Sequence, residues 1–320
     1  MSEVAPNPTT ASSASPRILA IAGGKGGVGK SVIAANLALT LARRGRRCTL
    51  VDLDLGGANL HTLLGMNNPE RSLSDLFRRK VATLPEVVVD TPFSNLGLIS
   101  GSRALLEMAN PKHALKLKVL RQIFRLEVDY VLLDLGAGSH FNVLDFFLAA
   151  HEPLLVVAPT PLSVENAYHF LKAVYLRKFR QALRQFSRSE RMEAELRARV
   201  ARGLRSPRHL MEILEEIAPE ARQGVTERMR TLKPGLVLNQ VKERGEMEVG
   251  PKMSTVCRHY FDLDLAYRGA ILNDDLVYRA MQNRQPVCNL YPESPFALSI
   301  NGIAEQLLGT IGGGICLTAG

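Results

Sequence analysis

The chain lacks closely spaced cysteines. In its 320 residues there are four, and no two of them form a C-x-x-C pair: Cys48, Cys257, Cys288 and Cys316. This scatter argues against a disulfide framework and against a structural zinc site, and it is typical of a protein that works in the reducing cytoplasm.

Long hydrophobic runs are also missing. No apolar stretch approaches the roughly 18–20 residues that a helix needs to cross a bilayer. Residues 1–16 are rich in Pro, Ser and Thr without an apolar centre, so we predict a disordered tail there rather than a signal peptide. Residues 310–320 contain three consecutive glycines and are predicted to form a flexible C-terminal tail. Since 46% of the chain is apolar, residues 17–309 can bury a sizeable core, and we expect them to form one domain.

The positive charge is concentrated in one segment. The formal net charge is +9, and residues 172–233 contain sixteen Lys or Arg against eight Glu. Because this segment is far longer than an ordinary crossover between two strands, we predict a basic helical insertion at about 178–233. Two interpretations stay open: a solvated face with mixed-sign pairs, or a surface for nucleic acid, anionic lipid or an acidic protein. The first is favoured, since aromatic residues for base stacking thin out after Phe186.

One glycine-rich stretch matches the pattern that cradles phosphates. Residues 24–31, GKGGVGKS, fit G-x-x-x-x-G-K-[ST] between a strand pattern at 17–22 and a helical pattern. Glycines allow successive backbone N–H groups to curl around phosphate oxygens, and the helix N-terminus adds partial positive charge. Lys30 is expected to reach the outer phosphates, and the Ser31 hydroxyl to bind Mg²⁺. The residues predicted to bind nucleotide in this stretch are Gly24, Lys25, Gly26, Gly27, Val28, Gly29, Lys30, Ser31 and Val32.

Carboxylates close two of the predicted strands. Asp52 and Asp54 end one strand pattern, and Asp134 ends another just before Gly136. Ligands of open α/β sheets bind at the carboxyl ends of the strands. We therefore predict that these three carboxylates and Ser31 surround Mg²⁺, the carboxylates mainly through water. Asp54 is expected to position and polarise the attacking water, and the Gly136 N–H to approach the terminal phosphate.

Lys25 has a second predicted role, and Asn239 and Pro286, outside these patterns, complete the predicted site. Lys25 follows the first glycine, where its own loop can hardly place it well, so we expect it to reach phosphates bound to another copy of the chain. Asn239 ends a strand pattern, and its amide is expected to read the adenine edge. Pro286 is expected to line the base pocket. The predicted catalytic residues are Lys25, Lys30 and Asp54.

Strand patterns alternate with helical patterns along the chain. This alternation predicts an α/β fold with a single doubly wound, mostly parallel sheet that carries helices on both faces. The crossovers between its strands are expected to be right-handed.

Three motifs in this order resemble those of the MinD/ParA family of P-loop ATPases. They are K-G-G-V-G-K-S at 25–31, V-D-L-D-L-G-G-A-N-L at 51–60 and V-L-L-D-L-G-A-G at 131–138. Within the family the likeness is strongest to the FlhG branch, which limits flagellar number. The resemblance implies an ATPase that dimerises face to face over two ATP molecules and is monomeric when empty or ADP-bound. It also implies that Lys25 acts across the interface, that Asp54 is needed for hydrolysis, and that Asn239 lies near adenine.

The resemblance implies a spatial regulator that uses ATP, ADP and Mg²⁺. We expect slow hydrolysis that a protein partner accelerates. The alternative is a ParA-like positioning ATPase that holds DNA non-specifically. The bound surface is thus left open between DNA and the inner face of the membrane or a cell pole, and residues 311–320 do not resemble the membrane-targeting helix of the relatives. A metal-cluster carrier would need a closely placed cysteine pair, and a ligase would need a substrate pocket that the sequence does not reveal.

Overall fold

One eight-stranded sheet organises the part of the chain that the structure describes. The structure, a computed structural model, describes residues 15–54, 57–101, 113–186, 194–195, 198–199 and 207–309. Apart from Ser15 and Pro16, both predicted tails lie outside these ranges. In chain order the strands are β1 (Arg17–Ala22), β2 (Cys48–Leu53), β3 (Val89–Asp90), β4 (Leu96–Ile99), β5 (Tyr130–Leu135), β6 (Glu152–Val157), β7 (Gly235–Val241) and β8 (Ala266–Leu272).

The sheet is parallel except at one edge. Its strand order is β3-β4-β2-β5-β1-β6-β7-β8, and only β3 runs antiparallel to its neighbour among the described pairings. The central strands are buried on both faces, which is why β1, β5 and β6 read as continuous apolar runs in the sequence. Parallel strands bring their carboxyl ends to the same edge, so the glycine-rich loop after β1 and the carboxylates of β2 and β5 meet there.

Helices cover both faces of the sheet. In chain order they are α1 (Lys30–Arg43), α2 (Leu60–Leu63), α3 (Leu73–Phe77), α4 (His113–Ile123), α5 (Phe141–Ala149), α6 (Pro161–Phe186), α7 (Pro207–Ile217), α8 (Arg222–Arg230), α9 (Val249–Phe261), α10 (Asp275–Gln282), α11 (Val287–Leu290) and α12 (Pro295–Gly309). One core packs α1, α10, α11 and α12 on one face, and a second core packs α3, α4, α5, α6 and α9 on the other. The predicted fold class is therefore confirmed.

Local signals set several boundaries. The predicted strand at 235–241 is β7 itself, and α1 ends where Gly45 adopts a φ of 77°, a conformation that favours glycine. The edge strand β3 has only two residues, too few to leave a periodic pattern, and it escaped prediction. Helix α5 (FNVLDFFLA) is apolar on nearly all sides, so it shows little of the periodicity by which helices are recognised.

The predicted basic insertion contains a small helical core of its own. Its apolar side chains come from the second half of α6 and from α7 and α8, and they include Phe179, Leu183, Leu210, Leu214 and Val225. On the surface Arg199 pairs with Glu195 at 2.9 Å and with Glu216 at 2.5 Å, and Arg222 pairs with Glu215 at 2.8 Å. These contacts are the mixed-sign pairs that a solvated helical face is expected to carry.

Among the described residues, no helix combines the length and the apolar character that a membrane crossing requires.

Candidate nucleotide-binding site

The loop between β1 and α1 has the backbone of a phosphate cradle. Gly27 and Gly29 adopt φ angles of 83° and 91°, which side chains of L-residues rarely tolerate. A Cβ atom on Gly29 would overlap the amide nitrogen of Asn239, and one on Gly24 would overlap the main-chain carbonyl of Asn166 in α6. The loop therefore lies too close to β7 and α6 for any residue larger than glycine at these two positions.

Two side-chain amides at the end of β7 form hydrogen bonds with the backbone of the loop. The Asn239 side chain, 5% exposed, donates from Nδ2 to the carbonyl of Val28 at 2.8 Å. Gln240 donates from Nε2 to the carbonyl of Gly27 at 3.3 Å, and it adopts a φ of 62° at an irregularity in the β7–β8 pairing. The predicted contact of Asn239 with adenine stays a prediction. In this structure the amide positions the loop.

Lys30 and Ser31 begin α1 and turn toward the carboxylates. Lys30 is buried, 7% exposed, and its charge acts on Asp134. The Ser31 hydroxyl donates a hydrogen bond to the Asp134 carboxylate. Both side chains therefore lie at the carboxyl edge of the sheet, where the motif predicts them.

Asp52 and Asp134 are buried side by side. They are partners in the register of β2 and β5, and they are 1% and 2% exposed. The Asp52 carboxylate accepts backbone hydrogen bonds from Asp54 and Leu60, both at 3.2 Å. Burial raises the pKa of Asp134 to about 7, although the Ser31 hydrogen bond and Lys30 act in the opposite direction. Burial, with the neighbouring Asp134 charge, raises the pKa of Asp52 to about 8.

Asp54 lies between two glycines. A Cβ atom on Gly136 would come within 3.3 Å of Asp54 Oδ1, and one on Gly57 within 3.4 Å of Oδ2. Asp54 also lines the cavity in front of the loop, whereas Asp52 and Asp134 are buried and are not among its lining residues. A carboxylate with open space on one side and small residues on its flanks can orient a water molecule toward a phosphate.

A cavity of about 560 Å³ opens in front of the loop. That volume falls within the range of small-molecule and cofactor sites, roughly 300–1,000 Å³. The predicted site residues that line it are Gly26, Gly27, Gly29, Lys30, Ser31, Val32, Asp54 and Asn239. Gly24, Val28 and Gly136 belong to the surrounding backbone rather than to the lining.

The far wall of the cavity is formed by residues that were not predicted from the sequence to belong to the site. Asn273 and Asp275 follow β8, and Tyr278 and Met281 project from α10 with 66% and 44% of their surfaces exposed. Their position after a parallel strand is the signal that could have identified them. Pro286, by contrast, does not line this cavity and instead precedes α11. Its predicted contact with the base remains a prediction.

The carboxylates fit a magnesium ion that is held mostly through water and phosphate. Oδ1 of Asp134 is buried without a hydrogen-bond partner, a deficit that a metal-bound water would remove. No group of three His, Cys, Asp or Glu side chains in the described ranges could hold a metal ion. Mg²⁺ typically keeps several waters and takes few protein ligands beside phosphates, and Ser31 is the residue placed to bind it directly. Bound there, the ion would neutralise charge on the phosphates.

Comparisons with known proteins agree with this geometry. Residues 19–287 match the model of the CobQ/CobB/MinD/ParA nucleotide binding domain. The chain is 28% identical over 293 residues to the antiactivator FleN of Pseudomonas aeruginosa, covering 91% of this chain and 86% of FleN. It is 32% identical over 158 residues to the flagellum site-determining protein YlxH of Helicobacter pylori, covering 49% and 53% of the two chains. The septum site-determining protein MinD of Pyrococcus horikoshii, complexed with Mg-ADP, superimposes with a TM-score of 0.63 at 20% identity, covering 93% of this chain and 98% of that chain.

The buried carboxylate pair predicts how Asp134→Asn behaves. A carboxyl with a raised pKa stabilises the metal-free folded state only while it is protonated, so this contribution is lost as pH rises through about 7. Asparagine does not titrate. We therefore expect Asp134→Asn to lessen the fall in Tm between acidic and mildly alkaline pH in metal-free protein, measured by circular dichroism.

The same variant should bind nucleotide about 10–100-fold more weakly in the presence of Mg²⁺. Asp129→Asn is the matched control, because Asp129 pairs with Arg47 at the other end of β5, and it should leave the Mg²⁺ dependence unchanged. An Asp134→Asn protein with the Mg²⁺ dependence of the wild type would contradict the assignment.

Proposed function

The chain belongs to the family of CobQ/CobB/MinD/ParA nucleotide-binding domains, and from that premise we propose that it is an ATP-dependent dimerisation switch. In this proposal the protein binds ATP with Mg²⁺, closes into a homodimer, hydrolyses ATP slowly to ADP and separates. The switch regulates the position or number of a cellular structure through a protein partner that distinguishes the two states, because a partner that binds both equally would shift nothing.

The contrast between the two lysines of the loop is the observation that carries the proposal. Lys30 is buried and lines the cavity in front of the loop, where it can hold phosphates bound to its own chain. Lys25 is exposed and makes no hydrogen bond or ion pair with the described residues. An unpaired cation beside a phosphate site is available to phosphates on a second chain. If Lys25 contacts the third phosphate of ATP bound to the second chain, the interface between the two chains depends on that phosphate.

The proposal of positional regulation is based on the names of similar proteins. The names of the similar proteins concern antiactivation and the determination of a flagellar or septum site. FleN supports the proposal most, because its similarity extends along 91% of this chain. The structure regulated here is therefore proposed to be of the kind that a cell must place or count.

Hydrolysis is proposed to be slow and partner-dependent. Asp54 orients the water in this proposal, and Lys30 and Lys25 stabilise charge on the phosphates. No arginine is among the described residues that line the cavity. An arginine supplied by a partner can accelerate such phosphoryl transfer by roughly 10³–10⁵-fold, so the proposal assigns the acceleration to a partner protein.

Lys25→Ala tests the dimer. It should bind ATP with nearly unchanged affinity yet remain monomeric, because the cation that crosses the interface is removed while Lys30 is kept. Light scattering after size-exclusion chromatography, with ADP and with a non-hydrolysable ATP analogue, measures the mass. Lys118→Ala, which removes an exposed lysine of α4, should dimerise like the wild type. Normal dimerisation of Lys25→Ala would show that the lysine does not act across an interface.

Asp54→Ala tests the hydrolytic role. Its ATP turnover, measured as phosphate release, should fall by about 100-fold or more, and the ATP-bound dimer should persist after ATP is added. Asp90→Ala removes an exposed carboxylate of β3 and should hydrolyse ATP at the wild-type rate. Turnover of Asp54→Ala at the wild-type rate would remove Asp54 from the mechanism.

Non-specific DNA binding is the alternative function. The acid–base pairs on the insertion favour a solvated face, so we expect the ATP-bound Asp54→Ala dimer not to bind double-stranded DNA even at low salt. Fluorescence anisotropy with a labelled duplex measures this. Binding whose affinity falls steeply with salt, with a logarithmic slope near −0.9 for each phosphate contacted, would instead favour the ParA-like function.

A further inference from the structure

A second cavity lies at the opposite edge of the sheet from the nucleotide site. It encloses about 250 Å³ at the amino ends of β6 and β7 and beside β8. Strands of six residues are about 20 Å long, so the two cavities are separated by roughly the length of a strand. None of the predicted nucleotide-site residues lines the second cavity.

The lining of this cavity carries an excess of positive charge. Lys178 from α6, Lys233 from the segment before β7, and Arg268 from β8 all line it, against one carboxylate, Glu152. Glu152 is shared, because Arg268 pairs with its Oε2 at 3.3 Å while Arg17 pairs with its Oε1. The Glu152 carboxylate thus forms ion pairs with two guanidinium groups. It forms none with Lys178 or Lys233.

Two of the cations are incompletely satisfied. The Nε atom of Arg268 is buried without a hydrogen-bond partner. Gly235 allows this placement, since a Cβ atom there would come within 3.0 Å of Arg268 Cγ and 3.3 Å of its Nε. Lys178 is half-buried and has no acidic partner among the described residues, and burial together with the nearby Arg228 charge lowers its pKa. Buried donors and charges of this kind are normally paired.

A neutral donor completes the wall. His151 accepts a hydrogen bond from the Ile18 N–H on its Nδ1 at 3.0 Å. Because Nδ1 is the acceptor in this contact, the ring proton is assigned to Nε2. Burial, with the Arg17 charge, lowers the pKa of His151. The Phe124 ring meets the His151 ring edge-on with centroids 5.7 Å apart, which limits the rotation of the imidazole.

We infer that this cavity is a binding site for a small phosphate-bearing anion, such as inorganic phosphate or a short phosphate monoester. Guanidinium and ammonium donors that converge from three chain segments suit the tetrahedral oxygens of a dianion better than a planar carboxylate. The volume of about 250 Å³ lies below the range of drug-sized pockets, roughly 300–1,000 Å³, so the ligand is small. Bound there, it joins α6 and the end of the insertion to the sheet, far from the nucleotide.

Calorimetric titration with inorganic phosphate tests the site. The full chain is first saturated with Mg²⁺ and a non-hydrolysable ATP analogue, so that the glycine-rich loop is filled, and ionic strength is held constant with sodium chloride. We expect one phosphate per chain with a Kd of about 1 mM or tighter. Lys178→Gln and Lys233→Gln should each weaken phosphate binding at least about tenfold. Neither should alter ATP turnover.

Lys172→Gln is the matched control, because Lys172 lies on the same helix α6 and does not line the cavity. It should bind phosphate like the wild type. Lys178→Gln removes an unpaired charge, so its Tm without phosphate should not fall, and phosphate should raise its Tm less than it raises that of the wild type. The inference is overturned if the wild type does not bind phosphate at phosphate concentrations well above about 1 mM. It is also overturned if Lys178→Gln binds phosphate as tightly as the wild type does.

Discussion

The burial of two carboxylates side by side is the constraint on which the site depends. Asp52 and Asp134 face each other across β2 and β5 with almost no exposure, and one oxygen of Asp134 has no partner. Without a cation this arrangement opposes ionisation, which is why both pKa values are raised. A hydrated Mg²⁺ bound there with a nucleotide phosphate would remove that cost, and binding of metal and nucleotide would then be coupled to the stability of the sheet edge.

The phosphate loop in turn depends on contacts from distant parts of the chain. Its backbone carbonyls at Gly27 and Val28 accept hydrogen bonds from Gln240 and Asn239, more than two hundred residues later. The parallel topology makes this contact possible because the carboxyl ends of β1 and β7 lie at the same edge, separated only by β6. A change at the end of β7 is therefore transmitted directly to the cradle. In a dimerisation switch the same edge carries the exposed Lys25, so the nucleotide and the proposed interface share one surface.

The two edges of the sheet carry different chemistry. The carboxyl edge combines acidic residues with a backbone cradle, as a metal–phosphate site requires. At the amino edge a small cavity lies between the sheet and the insertion, and among its lining residues Lys178, Lys233 and Arg268 outnumber the single carboxylate, Glu152. A ligand at this second edge would act on the packing of the insertion, and through α6, whose backbone contacts the loop near Gly24, it has a physical connection to the nucleotide site.

The sequence by itself determined the fold class, the phosphate loop and the carboxylates at the strand ends. These features are local: a strand, a glycine turn and a helix follow one another within about thirty residues, and buried parallel strands are recognisable as apolar runs. Tertiary structure alone decided that residues after β8, and not Pro286, line the cavity, and that Gln240 holds the loop. It also brought together Lys178, Lys233 and Arg268. Such contacts depend on strand order and on which helix covers which face, and neither is encoded in the spacing of residues along the chain.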